Sequence, residues 1–265
     1  MEKKKLGILG NGYLSGIIAN AWKNGLLDEY ELVGIAGRTP EKTRALAEEM
    51  GCAACLSFDE LLALKPDYIA EAASVAAVKE NAEKALSSGA SLVVLSIGAF
   101  ADEDFYERVK KTAAEHGTRV YIASGAVGGF DMMRTITLMG QAATACPVNA
   151  EFLSFKGPNS LRNTPLFDES LMDNERKVFS GNAKQAIAML PTKVNVAVAT
   201  SLASASPEKT KMEITSVPGF VGDEYKITAE TDGYRAFVDI YSKTSAIAGW
   251  SAVSVLQNIV SPIVF

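Results

Sequence analysis

Lys4-Lys5-Leu6-Gly7-Ile8-Leu9-Gly10-Asn11-Gly12-Tyr13-Leu14-Ser15-Gly16 is the stretch that decides the fold. Leu6, Ile8 and Leu9 read as a buried first strand, and Gly10-Asn11-Gly12 as the turn that ends it. Residues 13–25 then carry helical spacing, with Leu14, Ile17, Ile18, Ala21 and Trp22 on one face and Asn24-Gly25 as the stop. A strand, a Gly-x-Gly turn and a helix in that order form the dinucleotide-binding fingerprint. The first glycine makes the tight turn, the second lets backbone approach the pyrophosphate, and the helix N-terminus offers N–H groups and partial positive charge to the phosphates. The third glycine of the pattern falls on Ser15, a small residue beside Gly16. Gly10, Asn11, Gly12, Tyr13 and Leu14 are therefore the expected cofactor contacts in this turn.

The chain of 265 residues can bury a substantial core, as one large domain or two ordinary ones. A net charge of −5 argues against nucleic acid or an anionic membrane as the main partner. No apolar stretch reaches the length of a membrane span, and the N-terminal MEKKK runs into a strand rather than a signal-peptide core, so the expected compartment is the cytoplasm. Cys52-Ala-Ala-Cys55 has the spacing of half a zinc site, but there is no second pair and the single histidine, His116, is distant; no metal is expected. His116 itself precedes Gly117 at the end of a surface helix, where an imidazole favours the helix C-terminus.

The second strand is expected over 31–36 and ends in Gly37-Arg38-Thr39, with no acid until Glu41. An acid at this point reads the ribose 2′-hydroxyl of NAD, whereas an Arg accommodates the 2′-phosphate of NADP. Arg38 can fork onto a phosphate and Thr39 can donate to it, so NADP is favoured over NAD. Strands at 52–56, 67–70, 91–95 and 118–123 then alternate with helices at 40–50, 58–64, 75–88 and 102–115, the last capped by Asp102. This order gives a doubly wound parallel sheet with helices on both faces, its ligand lying beyond the carboxyl ends of the strands. Small or polar residues follow those strands: Glu71-Ala72-Ala73-Ser74, Ser96-Ile97-Gly98-Ala99 and Ser124-Gly125-Ala126. Ala73, Ser74 and Gly98 are cofactor candidates on that ground.

From Ser124 the pattern changes. A helix over 131–145 ends at Cys146-Pro147, and strands are expected at 150–156, 211–217, 223–231 and 234–241, the last two joined at Gly233. Helices at 182–190 and 194–205 interrupt them, and residues 161–174 read as a loop over the cleft. The expected organisation is a dinucleotide-binding domain over 1–123, an α+β domain of mostly antiparallel sheet over 124–243, and a helix within 244–265 that returns to the first domain.

Taken together, GNGYLSG, EAAS, SIGA, SGAVGGFD, SGNAKQA, LPTKVNVA and KTS resemble the L-aspartate dehydrogenase family along nearly the whole chain. The resemblance implies a Rossmann domain with an α/β catalytic domain, usually a homodimer. It also implies reversible NAD(P)-linked deamination of aspartate, through the imine, to oxaloacetate and ammonia. Family cofactor contacts fall on Ala126 and Asn195. Two positions depart from the family: its catalytic histidine, in a motif like Asn-x-His-Glu-Ile, corresponds to Tyr225 in Asp223-Glu224-Tyr225-Lys226-Ile227, and an asparagine two residues before Asn195 is replaced by Lys193.

An imidazole exchanges protons near neutrality, whereas an unperturbed tyrosine has a pKa of about 10. Tyr225 is expected to act as a hydrogen-bond donor, or as an acid if Lys193 lowers its pKa; alternatively Tyr225 is an ordinary strand residue and Lys193 a solvated lysine. The expected function is an NAD(P)-dependent dehydrogenase acting on an amino acid or the corresponding imino or oxo acid, with Tyr225 and Lys193 as the catalytic pair. The alternatives are a dinucleotide-binding protein without turnover and a reductase of another carbonyl or imine compound.

Overall fold

A computed structural model describes residues 2–142, 148–190 and 195–265. The chain divides into two units, Met1–Gly125 with Ala246–Phe265, and Ala126–Ser245. The expected helix end at Cys146-Pro147 and the PTKV part of one quoted motif, Lys193 included, lie outside the described residues.

In the first unit β1 (Lys4–Leu9), α1 (Tyr13–Lys23), β2 (Tyr30–Ala36), α2 (Pro40–Met50), β3 (Ala53–Cys55) and α3 (Phe58–Ala63) make one half of the sheet and its cover. β4 (Tyr68–Glu71), α4 (Val75–Ser87), β5 (Ser91–Val94), α5 (Glu103–His116) and β6 (Val120–Ile122) make the other. The six strands are parallel in the order β3-β2-β1-β4-β5-β6, with the reversal of strand order falling between β1 and β4. A parallel sheet covered on both faces requires apolar side chains on both, and Leu6, Ile8, Ile35, Ile69, Ala70, Val93 and Val94 are all buried. Local signals set the helix boundaries. Ser74 caps α4 by accepting from Ala77 N at 3.1 Å, Asp102 caps α5 by accepting from Phe105 N at 3.1 Å, and Gly117 ends α5 in the left-handed region beside His116.

The C-terminal helix Ala246–Val260 belongs to this first unit. Ala252, Val253 and Leu256 enter the same core as Leu6, Ile18, Leu27 and Tyr30. Gly249 lets the helix lie close to α1, since a Cβ there would meet Ile17 at 3.0 Å. The buried Tyr30 hydroxyl donates to Leu256 O at 2.7 Å, a bond worth about 1 kcal/mol net. Burial pushes its phenol far above the ordinary tyrosine range.

The second unit holds α6 (Phe130–Ala142), β7 (Asn149–Lys156), β8 (Arg176–Asn182), α7 (Ala183–Met189), α8 (Asn195–Ala203), β9 (Thr210–Ser216), β10 (Asp223–Thr231) and β11 (Tyr234–Ser242). Its sheet runs β11-β10-β7-β9-β8; only β7 with β9 is parallel. Strand alternation sends Ala150, Phe152, Ser154, Met212, Ile214, Tyr225, Ile227 and Ala229 into the buried face, against which α6 and α8 pack. The other face carries alternating charges, with Lys211 bonded to Glu151 at 2.7 Å and Glu213 at 3.2 Å, and Lys226 to Glu224 at 3.0 Å. Two elements differ from the sequence reading. β8 was not expected: its sequence, RKVFSGN, has little apolar alternation, and it is a strand because β9 offers a paired edge. The stretch read as a loop, 161–174, contains a short 3-10 turn, Glu169–Met172, and begins at the end of another, Pro158–Leu161; the side chains of Leu161 and Leu171 are buried.

Candidate functional site

The turn between β1 and α1 is built around two glycines with different duties. Gly10 has φ +132°, and a Cβ there would lie 2.5 Å from both Ala72 O and Ser15 Oγ, so the position excludes any side chain. Ser15, standing where the fingerprint has its third glycine, donates to Ala72 O at 3.3 Å and so fastens α1 to the segment after β4. At Gly12, by contrast, a Cβ would meet nothing within 4 Å. Gly12 is the N-cap residue of α1 and supplies no side-chain cap, so the first N–H groups of this 11-residue helix receive no bond from the cap residue's side chain. This is the arrangement that accepts a pyrophosphate, and the residues fit a nicotinamide dinucleotide.

Asn11 has a second task that the sequence did not reveal. Its Nδ2 donates to Thr39 O and to Thr43 Oγ1, both at 2.9 Å, tying the glycine turn to the segment after β2. Gly37 makes room for this amide: a Cβ there would sit 2.5 Å from Asn11 Cγ. The structure thus gathers Gly10, Asn11, Gly12, Thr39 and Ala72 into one rim. Arg38 is exposed beside it, Thr39 is half-buried and does not cap α2, Tyr13 is exposed and Leu14 half-buried.

The carboxyl end of β4 is organised by Glu71, which is 1 % exposed. Its Oε1 accepts from Ala73 N at 2.8 Å, Ser74 N at 3.0 Å and Ser96 Oγ at 2.8 Å. Its Oε2 accepts from Ser96 N at 2.9 Å and Leu95 N at 3.3 Å. One side chain therefore shapes both segments in which Ala73, Ser74 and Gly98 lie. Burial pushes the carboxyl above the ordinary glutamate range, against the pull of the donors from Ser96, Ala73 and Leu95. An acid closing an otherwise apolar strand was the only trace of this in the sequence.

In the second unit Ala126 and Asn195 are both half-buried, the latter at the first residue of α8. Gly129, with φ +70°, brings the segment after Ala126 against β11, where a Cβ would lie 2.5 Å from Val238 Cγ2. Tyr225 is 5 % exposed; its ring stacks on Phe152 with centroids 5.4 Å apart. Burial, and then the carboxylate of Asp223 to which the phenol donates, hold that phenol protonated well above the ordinary tyrosine range. The lowering that Lys193 could cause concerns a residue outside the described ones. The cation that the structure describes at this ring is Lys156, whose Nζ lies 5.7 Å from the centroid and 3.1 Å from Asp223 Oδ1. Lys156 and Asp223 were not among the expected site residues, although the inward parity of residues 150, 152, 154 and 156 was legible in the strand. Among the described residues no group of three or more His, Cys, Asp and Glu side chains could hold a metal ion. No helix among them is long and apolar enough to cross a membrane.

A parallel sheet with an uncapped glycine turn at its topological reversal, joined to a mixed sheet with a polar, half-buried end, defines a two-unit nicotinamide-nucleotide oxidoreductase. Comparison with known proteins agrees unit by unit: residues 6–123 match the NAD-binding domain of homoserine dehydrogenase and residues 139–259 the C-terminal domain of aspartate dehydrogenase. The chain is 31 % identical to L-aspartate dehydrogenase of Methanococcus maripaludis over 98 % of both chains, and 27 % identical to that of Methanocaldococcus jannaschii over the same shares. The crystal structure of aspartate dehydrogenase from Thermotoga maritima superposes over 100 % of both chains with a TM-score of 0.76 at 24 % identity. An amine dehydrogenase from Mycobacterium smegmatis shares the fold with a TM-score of 0.60 at 14 % identity, over 97 % of this chain and 92 % of its own. The protein belongs to the L-aspartate dehydrogenase family and is an NAD(P)-dependent oxidoreductase.

Proposed function

We propose that the protein catalyses the reversible oxidative deamination of L-aspartate or a closely related amino acid, with NADP(H) preferred to NAD(H). The observation that carries this reading is kinship extending over both units at 31 % identity, so that the substrate-bearing half is shared as well as the nucleotide-binding half. In the forward direction the α-ammonium gives up a proton and the α-carbon a hydride, leaving the protonated imine; accepting that hydride is the chemistry that an oxidised nicotinamide would supply. Water then adds to the imino acid and ammonia leaves, giving the oxo acid. Gly10, Gly12 and the α1 N-terminus hold the pyrophosphate, and Arg38 with Thr39 the 2′-phosphate. The contacts assigned to the nicotinamide half are Ala73, Ser74 and Gly98 of the first unit and Ala126 and Asn195 of the second. Tyr225 and Lys193 are the pair assigned to the reacting centre, Tyr225 as a hydrogen-bond donor, since burial keeps its phenol protonated.

The same protonated phenol favours a second reading, reduction of an imine or carbonyl compound other than iminoaspartate, because a donor suits the reductive direction better than a base does. The assembly that fits the second unit is a homodimer: the face of its sheet opposite α6 and α8 exposes Phe237 and Tyr241 between ladders of charge. The cytoplasm is the compartment proposed for this chemistry. Incubation with a panel of amino acids and either oxidised nucleotide, followed at the nicotinamide absorbance, tests the first reading. Turnover of aspartate or a near analogue is expected. Reduction of oxo acids with ammonia in the absence of any amino-acid oxidation would favour the second.

A further inference from the structure

Lys156 closes β7 and Asp223 opens β10, directly opposite in the antiparallel register. Their Nζ and Oδ1 atoms are 3.1 Å apart, with the side chains 17 % and 37 % exposed, neither sunk in the core nor loose on the surface. The other ion pairs within this sheet, those of Lys177, Lys211 and Lys226, belong to its opposite, uncovered face. By strand parity Lys156 and Asp223 share the face of Ser154 and Tyr225. Asp223 is held on two sides, by the ammonium of Lys156 and by the phenol of Tyr225, and Tyr225 is itself seated on Phe152. Beside the pair stand two polar groups whose bonding capacity is unused. Ser216 faces Lys156 across β9, Ser154 faces Tyr225 across β10, and both hydroxyls are buried without a partner among the described residues. Polar groups gathered in this way at a half-open strand end are a prepared binding surface rather than a surface ornament.

We propose that Lys156 and Asp223 read the zwitterion of the substrate: Asp223 takes its α-ammonium and Lys156 its α-carboxylate. A free amino acid carries these two charges on groups attached to the same carbon, at a spacing close to that of the protein pair. Separating Lys156 and Asp223 slightly lets each charge exchange its protein partner for a ligand partner, with no net change in buried charge. The pair therefore selects compounds bearing both charges over dicarboxylates that lack nitrogen. The inference rests on the amino-acid substrate class proposed above and adds the residues that recognise it.

The test is calorimetric titration of the intact protein, in the presence of whichever reduced nicotinamide nucleotide it binds more tightly, with L-aspartate and with succinate. In the unaltered protein aspartate should bind at least tenfold more tightly than succinate. Asp223→Asn should weaken aspartate at least tenfold and leave succinate within about twofold. Lys156→Met should weaken both at least tenfold, with nucleotide affinity and thermal midpoint kept in each variant. Equal affinity of the unaltered protein for the two ligands overturns the pair, whether or not the variants fold. So does an Asp223→Asn variant whose aspartate affinity is unchanged; if the unaltered protein also oxidises aspartate, the proposed reaction stands without the pair. A protein that neither binds nor oxidises any amino acid overturns the proposed reaction, and the pair falls with it.

Discussion

Glu71 and Ser96, 25 residues apart in sequence, are joined twice: the Ser96 backbone N–H donates to Oε2 at 2.9 Å and its hydroxyl to Oε1 at 2.8 Å. With Ala73, Ser74 and Leu95 adding three N–H donors, every partner of this carboxyl group is a donor. Glu71→Gln presents an NH2 group to two or more of those donors. It should destabilise the protein by about 2–4 kcal/mol in urea unfolding, more than an isosteric change at an exposed site. If the segments it shapes border the nucleotide, as proposed for Ala73, Ser74 and Gly98, nucleotide affinity should fall with it. The pH dependence has a definite sign. Burial raises the folded pKa above 4.5, so the folded state binds the proton more tightly than the unfolded chain does. The stability advantage of the native protein over Glu71→Gln should then be greatest below about pH 4.5 and shrink as pH rises through the raised value. An advantage that grows over that range would show that the five donors outweigh burial.

The two turn glycines should separate folding from binding. Gly10→Ala forces a Cβ into Ala72 O and Ser15 Oγ in a left-handed backbone and should cost roughly 2–4 kcal/mol of stability. Gly12→Ala meets open space and should leave stability within about 0.5 kcal/mol while weakening the dinucleotide at least tenfold, because the added methyl stands where the pyrophosphate approaches. Unfolding curves paired with nucleotide fluorescence titrations read both effects. If both variants lost stability and affinity together, the division of labour would be wrong.

Arg38 is expected to decide between the two nucleotides. It is exposed beside the Asn11–Thr39 bond, and no acid stands at the end of β2 to bind a ribose 2′-hydroxyl. A charge-assisted bond to a 2′-phosphate is worth about 1.5–3 kcal/mol, so NADP(H) should bind roughly ten- to a hundredfold more tightly than NAD(H), and Arg38→Ala should remove most of the difference. Equal affinities, unchanged in the variant, would sink this assignment.

What could be read from the sequence divides by range. The glycine turn, the cap at Asp102 and the αL stop at Gly117 are local, because each is decided within a few residues of backbone. β8 was not legible: RKVFSGN extends only because β9 pairs with it, from Arg176 opposite Ser216 to Asn182 opposite Lys211. The Glu71 network, the Asn11 clasp and the Lys156–Asp223 pair are likewise contacts between segments that only the topology brings together. The departure at Tyr225 was visible by resemblance, but the direction of its pKa shift depends on Phe152 and Asp223 and on burial by the sheet, none of which spacing reveals.

Tyr225 carries the prediction that bears most directly on the chemistry. Its phenol is held protonated by burial and by donation to Asp223, so across the neutral range it can give a hydrogen bond but is a weaker acid than an ordinary phenol and cannot serve as a base. Tyr225→Phe keeps the ring on Phe152 and removes only the O–H. If the phenol takes part in proton transfer, kcat should fall by about 10²–10⁴-fold, with nucleotide affinity and thermal midpoint unchanged. If the ring only packs, neither kcat nor KM should move. Tyr225→His restores the imidazole of the family motif and should raise aspartate oxidation, adding to the pH–rate profile a limb governed by a group with an ordinary pKa of about 6.5. Steady-state rates on aspartate over a range of pH distinguish these cases. Robust aspartate oxidation by the unaltered protein that survives Tyr225→Phe undiminished would place the proton-transfer group elsewhere in the second unit.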